Sequence, residues 1–239
     1  MSELESVFGQ TAATLYEQYA ATLHFRNYLV GGIPRDPEMM ERWIRSKAGI
    51  TDDIEVEHLL IQTLRENGVD VHPGLSMDEL REAAAAVAEL KQNGFKRQHG
   101  VLVVESRQIK AGIKEAVNIL FAGEKWGRTR KGPKHFVAER VFVEPWLIPI
   151  LHADGTPYTE PDAVQTRVGH VSGPGGPRAI LNNEEVCDRP MLRFTVRVLR
   201  DSLAPDQWAE LWTLLEANGL GATRSQGFGQ FVVTEWRTL

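Results

Sequence analysis

Gly219-Leu220-Gly221-Ala222-Thr223-Arg224-Ser225-Gln226-Gly227-Phe228-Gly229-Gln230-Phe231-Val232-Val233 holds four glycines in its first eleven residues, with Arg224 and Ser225 at the centre. Glycine costs folding entropy, so a cluster of this kind marks a backbone that needs positive φ or lets another group come close. The flanks give the loop its setting. Pro205 opens a predicted helix with Asp206 in its first turn, Trp208, Leu211, Trp212 and Leu215 form its apolar stripe, and Gly219 stops it. Gln230 to Trp236 then reads as a strand. Further upstream, Leu192, Phe194, Val196 and Val198 alternate with Arg193, Thr195 and Arg197, the pattern of a half-buried strand with a basic outer face.

Strand, helix, glycine loop and strand make half of a ferredoxin-like fold. The rest of the chain supplies further elements. Thr22 to Val30 reads as a strand ending at Gly31-Gly32, and Gly100 to Glu105 as a short apolar one. Ser106 is placed to cap a helix whose apolar face is Ile109, Ile113, Val117, Leu120 and Phe121, with Lys110 and Lys114 together on another face. Phe136 to Pro145 reads as a strand. Between the first strand and this half, Asp36-Pro37, the Asn67-Gly68 stop and the Ser76/Glu79 capping box delimit helices. His152 to Pro177 is rich in proline and glycine and lacks helical period, so it is either a long excursion or an extended hairpin with Val168 to Val171 at its tip. The expectation is an α+β protein with an antiparallel, ferredoxin-like (RRM-like) sheet. Residues 1–35 give its first strand region, 36–92 a helical insertion, and 93–239 the core with a flexible segment at 152–180. Helices on one face of such a sheet leave the other open, and folds of this type commonly bind RNA there.

Charge is unevenly distributed. Arg107 to Arg140 holds nine basic against three acidic residues, so with −5 overall this segment carries +6 and the remainder −11. A localised basic surface on an acidic body suits a polyanionic partner. The single cysteine, Cys187, excludes an intrachain disulfide and a cysteine metal cluster. No apolar run approaches the ~18 residues of a membrane span. Met1 to Gln10 lacks the basic start and apolar centre of a signal peptide, so a cytoplasmic protein with no membrane partner is expected. No Lys-Ser/Thr pair follows the glycines, which argues against a P-loop nucleotide site, and no cofactor is expected. Metal-independent RNA cleavage would need a histidine against a 2′-hydroxyl. Seven histidines are present, none in a diagnostic pair, and His24 and His135 are the candidates. No His-x-x-His or Asp-x-Asp offers a metal site.

The pattern G-x-G-x-x-R-S-x-G-F-G-x-F at 219–231 resembles the signature of the repeat-associated mysterious protein (RAMP) superfamily, the RNA-binding subunits of CRISPR effector complexes and their guide-processing endoribonucleases. Gln108-Ile109-Lys110-Ala111-Gly112-Ile113-Lys114-Glu115-Ala116 resembles a helix start in backbone subunits of that superfamily, where a serine-rich turn opens a helix whose lysine faces guide RNA. Here the usual Pro-Gly-Ser is replaced by Glu105-Ser106-Arg107. About a third of the chain carries the resemblance. It implies a subunit of an antiviral-defence ribonucleoprotein, with guide or single-stranded RNA and further copies or other subunits as partners. For the segment around Arg167, His170 and Arg178 it implies a hairpin wedged between nucleotides, with a disordered connection as the alternative.

The chemistry of the residues points the same way. Phosphates are held by Lys, Arg, hydroxyls and free backbone N–H groups. Arg224, Ser225, Gln226 and the amides of Gly221, Gly227 and Gly229 supply these at one loop. Lys125, Arg128, Arg130, Lys131, Lys134 and His135 add cations, interleaved with Trp126 and Phe136 on which bases stack. The expected function is a non-catalytic RNA-binding subunit. The alternatives are a metal-independent endoribonuclease and a self-assembling structural protein, of viral origin in one version, that uses a RAMP-like sheet.

Overall fold

The computed structural model describes residues 15–34, 61, 92–127, 130, 132–173 and 176–239, and for 34, 92, 167–173 and 176–182 the backbone only. The predicted helices of 36–92 therefore lie almost wholly outside the described residues. What is described is a mixed α+β fold built on sheet that is antiparallel except where β4 pairs with β10. The larger sheet contains β1 (Tyr16–Phe25), β5 (Lys96–Gln98), β6 (Val101–Glu105), β7 (Val141–Glu144), β8 (Leu147–Leu151), β11 (Met191–Leu199) and β12 (Phe231–Thr238). Its order is β12-β1-β11-β8-β6-β5, with β7 beside β8 along the same edge of β11. Pro145, which has no N–H for the ladder, separates β7 from β8. The smaller sheet contains β2 (Tyr28–Val30), β3 (Ile33–Pro34), β4 (Gln92–Gly94), β9 (Ala163–Gly173) and β10 (Gly176–Asp188). Its order is β2-β10-β4-β3, with β9 paired along β10.

Three α-helices, α1 (Ser106–Leu120), α2 (Pro133–Arg140) and α3 (Pro205–Asn218), and a 3₁₀ turn at Arg224–Gln226 accompany the sheets. The larger sheet's inner face follows from alternation. Leu192, Phe194, Val196 and Val198 of β11 and Ala21, Leu23 and Phe25 of β1 are buried. They meet Ile109, Ile113 and Val117 of α1 and Leu211 and Leu215 of α3 in one core. Burying these side chains gives ~1.5–3 kcal/mol each. Trp208 and Trp212 of α3 gather with Trp236 and Tyr19, whose rings stack at 4.5 Å. Gly112 costs helix stability in the middle of α1, but a Cβ there would lie 3.1 Å from both Leu215 and Leu220, so glycine allows the close approach of α1 to α3 and the loop beyond it.

Several expectations are corrected. The strand expected at Thr22–Val30 is two, β1 and β2, parted by Arg26 and Asn27, and they join different sheets. The strand expected at Phe136–Pro145 begins as helix α2, with Pro133 preset for its first turn, and becomes β7 only at Val141. Ser106 does not cap α1: it is the first helical residue, and Glu105 stands at the N-cap with no side-chain capping bond. Within 152–180 the extended hairpin is the alternative found, and its strands are far longer than the four residues expected at its tip, since β9 and β10 pair continuously from Ala163/Val186 to Gly173/Gly176.

Candidate nucleic-acid interface

The glycine loop is a fold of backbone on backbone. Gly229 has φ +75°, and a Cβ there would stand 1.8 Å from the Leu220 carbonyl oxygen. Leu220 N–H donates to Gly229 O at 2.9 Å, so the two ends of the loop are pinched together with no room for a side chain. The pinch is fixed to β2: Gly229 N–H donates to Tyr28 O at 2.9 Å and Ala222 N–H to Val30 O at 3.1 Å. Between these anchors Arg224–Gln226 make one 3₁₀ turn, with Ser225 and Gln226 exposed at its tip. Thr223 enters that turn at φ +59°, a costly conformation for a β-branched residue. Its hydroxyl donates to the buried Glu184 carboxylate on β10 at 2.9 Å, which holds it there.

The loop forms one wall of a cleft of about 320 Å³. Leu220, Gly221, Ala222 and Arg224 line that wall; Arg107, Gln108, Ala111, Gly112 and Glu115 of α1 line the other, and Gly32 and Ile33 close the end. The volume is at the lower end of the range for ligand sites. Five of the eleven lining residues are glycine or alanine, which bring backbone to the surface. The Gly221 amide bonds no described residue. Across the cleft, Arg224 Nη2 lies 3.0 Å from Glu115 Oε2. Arg107 Nε bonds the carboxylate of Glu105, which also meets Lys96 Nζ at 3.5 Å.

The sequence-nominated residues thus separate into groups. Gly221 and Arg224 line the cleft, and Gly227 and Gly229 shape the loop. Lys110 and Lys114 sit on the other flank of α1. Lys110 Nζ lies 4.8 Å from the centroid of Phe142 on β7, and burial, followed by the charge of Lys114, holds its pKa below the ordinary lysine value. The Arg197 guanidinium meets the same Phe142 ring at 5.2 Å and pairs with Glu144 at 2.9 Å. Trp126 packs edge-on against Phe136 and tilted against Phe121, and its indole N–H donates to Glu124. Arg140 covers Phe136 at 3.8 Å. Lys125, Arg130, Lys134 and His135 are exposed around that cluster, while Arg128 and Lys131 lie outside the described residues.

The backbones of Arg167 and His170 are in β9 and that of Arg178 is in β10; their side chains lie outside the description. His24 sits opposite Met191 and Val232 on the sheet face away from the helices, so neither histidine candidate lines the cleft. Sequence reading missed Arg107, Gln108 and Glu115 as cleft residues and Thr223 as the strained hinge of the loop. The signal for Gln108 and Glu115 was their seven-residue spacing along α1, which puts them on a different flank from Lys110 and Lys114; Arg107, three and seven residues before those lysines, lies toward their side.

No protein-family model matches the chain, and no curated protein matches it. Among solved structures it is similar to a chain of the cryo-EM structure of the Type III-B Cmr-beta bound to cognate target RNA. The TM-score is 0.44 and the identity 11%, over 96% of this chain and 63% of that one. This chain therefore spans less than two thirds of that neighbour's length. Among the described residues, no helix is long and apolar enough to cross a membrane.

Proposed function

We propose that the chain is a non-catalytic RNA-binding subunit of RAMP type that holds guide or other single-stranded RNA in the cleft between the glycine loop and α1. One observation carries this reading. The two stretches that resemble RAMP proteins are about a hundred residues apart in sequence, and they form the facing walls of a single cleft. That cleft offers groups of the kind that hold a sugar–phosphate backbone: arginines, an amide side chain and a lining rich in glycine and alanine. The exposed cations around α2 would add sequence-independent attraction.

The core then reads as ferredoxin-like. Taking β1, α1, β7, β11, α3 and β12 in turn gives a β-α-β-β-α-β unit with sheet order β12-β1-β11-β7, antiparallel at every pairing. The segment 36–92 reads as an insertion, since the chain leaves it and re-enters through β3 and β4, which pair antiparallel. Partners would be further copies or other subunits of a ribonucleoprotein.

Gentle purification from a co-expressing host tests the proposal. The expected result is a raised 260/280 nm absorbance ratio, RNA of defined length, and a mass that falls after ribonuclease and high salt. A nucleic-acid-free particle whose mass ignores both treatments would favour the self-assembling structural protein instead.

A further inference from the structure

Both arginines of the cleft are neutralised from within the chain, but by unlike carboxylates. Glu105 is buried, with 8% of its side chain exposed, and serves Arg107 and Lys96 together. It is part of the packing. Glu115 is 45% exposed, lines the cleft, and among the described residues pairs with Arg224 alone. The turn of α1 that carries it is held by the burial of Ile113, Ala116 and Val117, so the fold does not need a carboxylate at this place.

We propose that Glu115 is a stand-in for a phosphate, occupying Arg224 until RNA arrives and making the cleft select a chain of phosphates over a single small anion. The inference rests on the RNA reading above. A guanidinium presents one planar fork, which carboxylate and phosphate oxygens occupy in the same way. A carboxylate tethered across the cleft has an effective concentration of millimolar order or higher, so a free phosphate or mononucleotide at lower concentration does not displace it. The exposed pair is nevertheless weak. An RNA segment that also reaches Arg107 and the Gly221 amide, and releases counterions from neighbouring phosphates, displaces it readily. Glu115 thereby sets a threshold of valence.

The test uses the full chain and a fluorescently labelled oligouridylate, read by anisotropy for the wild type, Glu115→Gln, Arg224→Gln and the double variant. Thermal melts check that each variant is folded, as substitutions at these exposed positions allow. Glu115→Gln is expected to tighten binding about ten-fold, to let millimolar inorganic phosphate compete with the RNA, and to lose both effects when combined with Arg224→Gln. If Arg224→Gln weakens binding while Glu115→Gln leaves it at the wild-type value, the stand-in role is wrong and the RNA reading survives. If no variant differs from the wild type, or if neither the wild type nor any variant binds, RNA does not use the cleft and both readings fall.

Discussion

The glycine loop between α3 and β12 and the basic stretch from Lys125 to His135 both stand out in composition, yet they are built on different principles. In the loop, the unusual residues serve backbone geometry: Gly219 and Gly229 sit where a Cβ would meet backbone atoms at 2.7 and 1.8 Å, and the segment is pinned to β2 by main-chain bonds. In the basic stretch Trp126 turns inward between Phe121 and Phe136, and the described residues Lys125, Arg130, Lys134 and His135 turn out to solvent around it. A cluster of glycines is a statement about shape, because few other residues satisfy the same φ. A cluster of lysines and arginines is a statement about solvent, and does not say which of its neighbours are core.

That difference can be broken first at the pinch. Gly229→Ala adds positive-φ strain of ~1–2 kcal/mol to overpacking of ~1–3 kcal/mol, so denaturant melts should show a loss of about 3 kcal/mol or more. Gly227 has the same left-handed φ but open space around its Cβ. Gly227→Ala should therefore cost only ~1 kcal/mol. Equal losses at the two glycines would mean that close approach is not what the loop requires.

The basic stretch gives the next largest effect. Trp126→Ala removes two aromatic pairs worth ~0.5–1.5 kcal/mol each beyond their buried area, and should destabilise by about 2 kcal/mol. RNA affinity measured on the folded variant should stay near the wild-type value. A large loss of affinity with no loss of stability would make Trp126 a base-stacking platform instead.

The smallest effect lies on the far flank of α1. Burial and Lys114 depress the Lys110 pKa, so between that value and the ordinary 10.5 the unfolded chain binds more protons than the folded one. Stability should therefore rise with pH through this window. Lys114→Gln should move the Lys110 pKa back up and narrow the window, as followed by NMR of the lysine side chain. An unchanged pKa would mean that burial against Phe142 acts alone.

How much of this was legible beforehand depended on whether the signal was local. The helix α3 and strand β11 were readable because proline, the Trp208/Leu211/Trp212/Leu215 stripe and strict alternation all act within a few residues. The α2 error arose because Phe136 to Pro145 contains a helix and a strand whose join, at Val141, carries no glycine or proline. The split of Thr22–Val30 was invisible because Arg26 and Asn27 turn the chain through contacts to Gln230 and Gly227, some two hundred residues away. The cleft was half legible. Its two walls were each noticed, but their meeting depends on Gly112 and Gly32 admitting the loop, and the ion pair from Glu115 to Arg224 spans 109 positions.

The central claim is that RNA lies between the glycine loop and α1. Ultraviolet crosslinking of bound single-stranded RNA, followed by mass spectrometry of the chain, tests it most directly. Crosslinks in peptides spanning 105–116 and 219–229 are predicted. Crosslinks confined to the open sheet face around Arg193 and His24, or to the stretch 125–140, would contradict it.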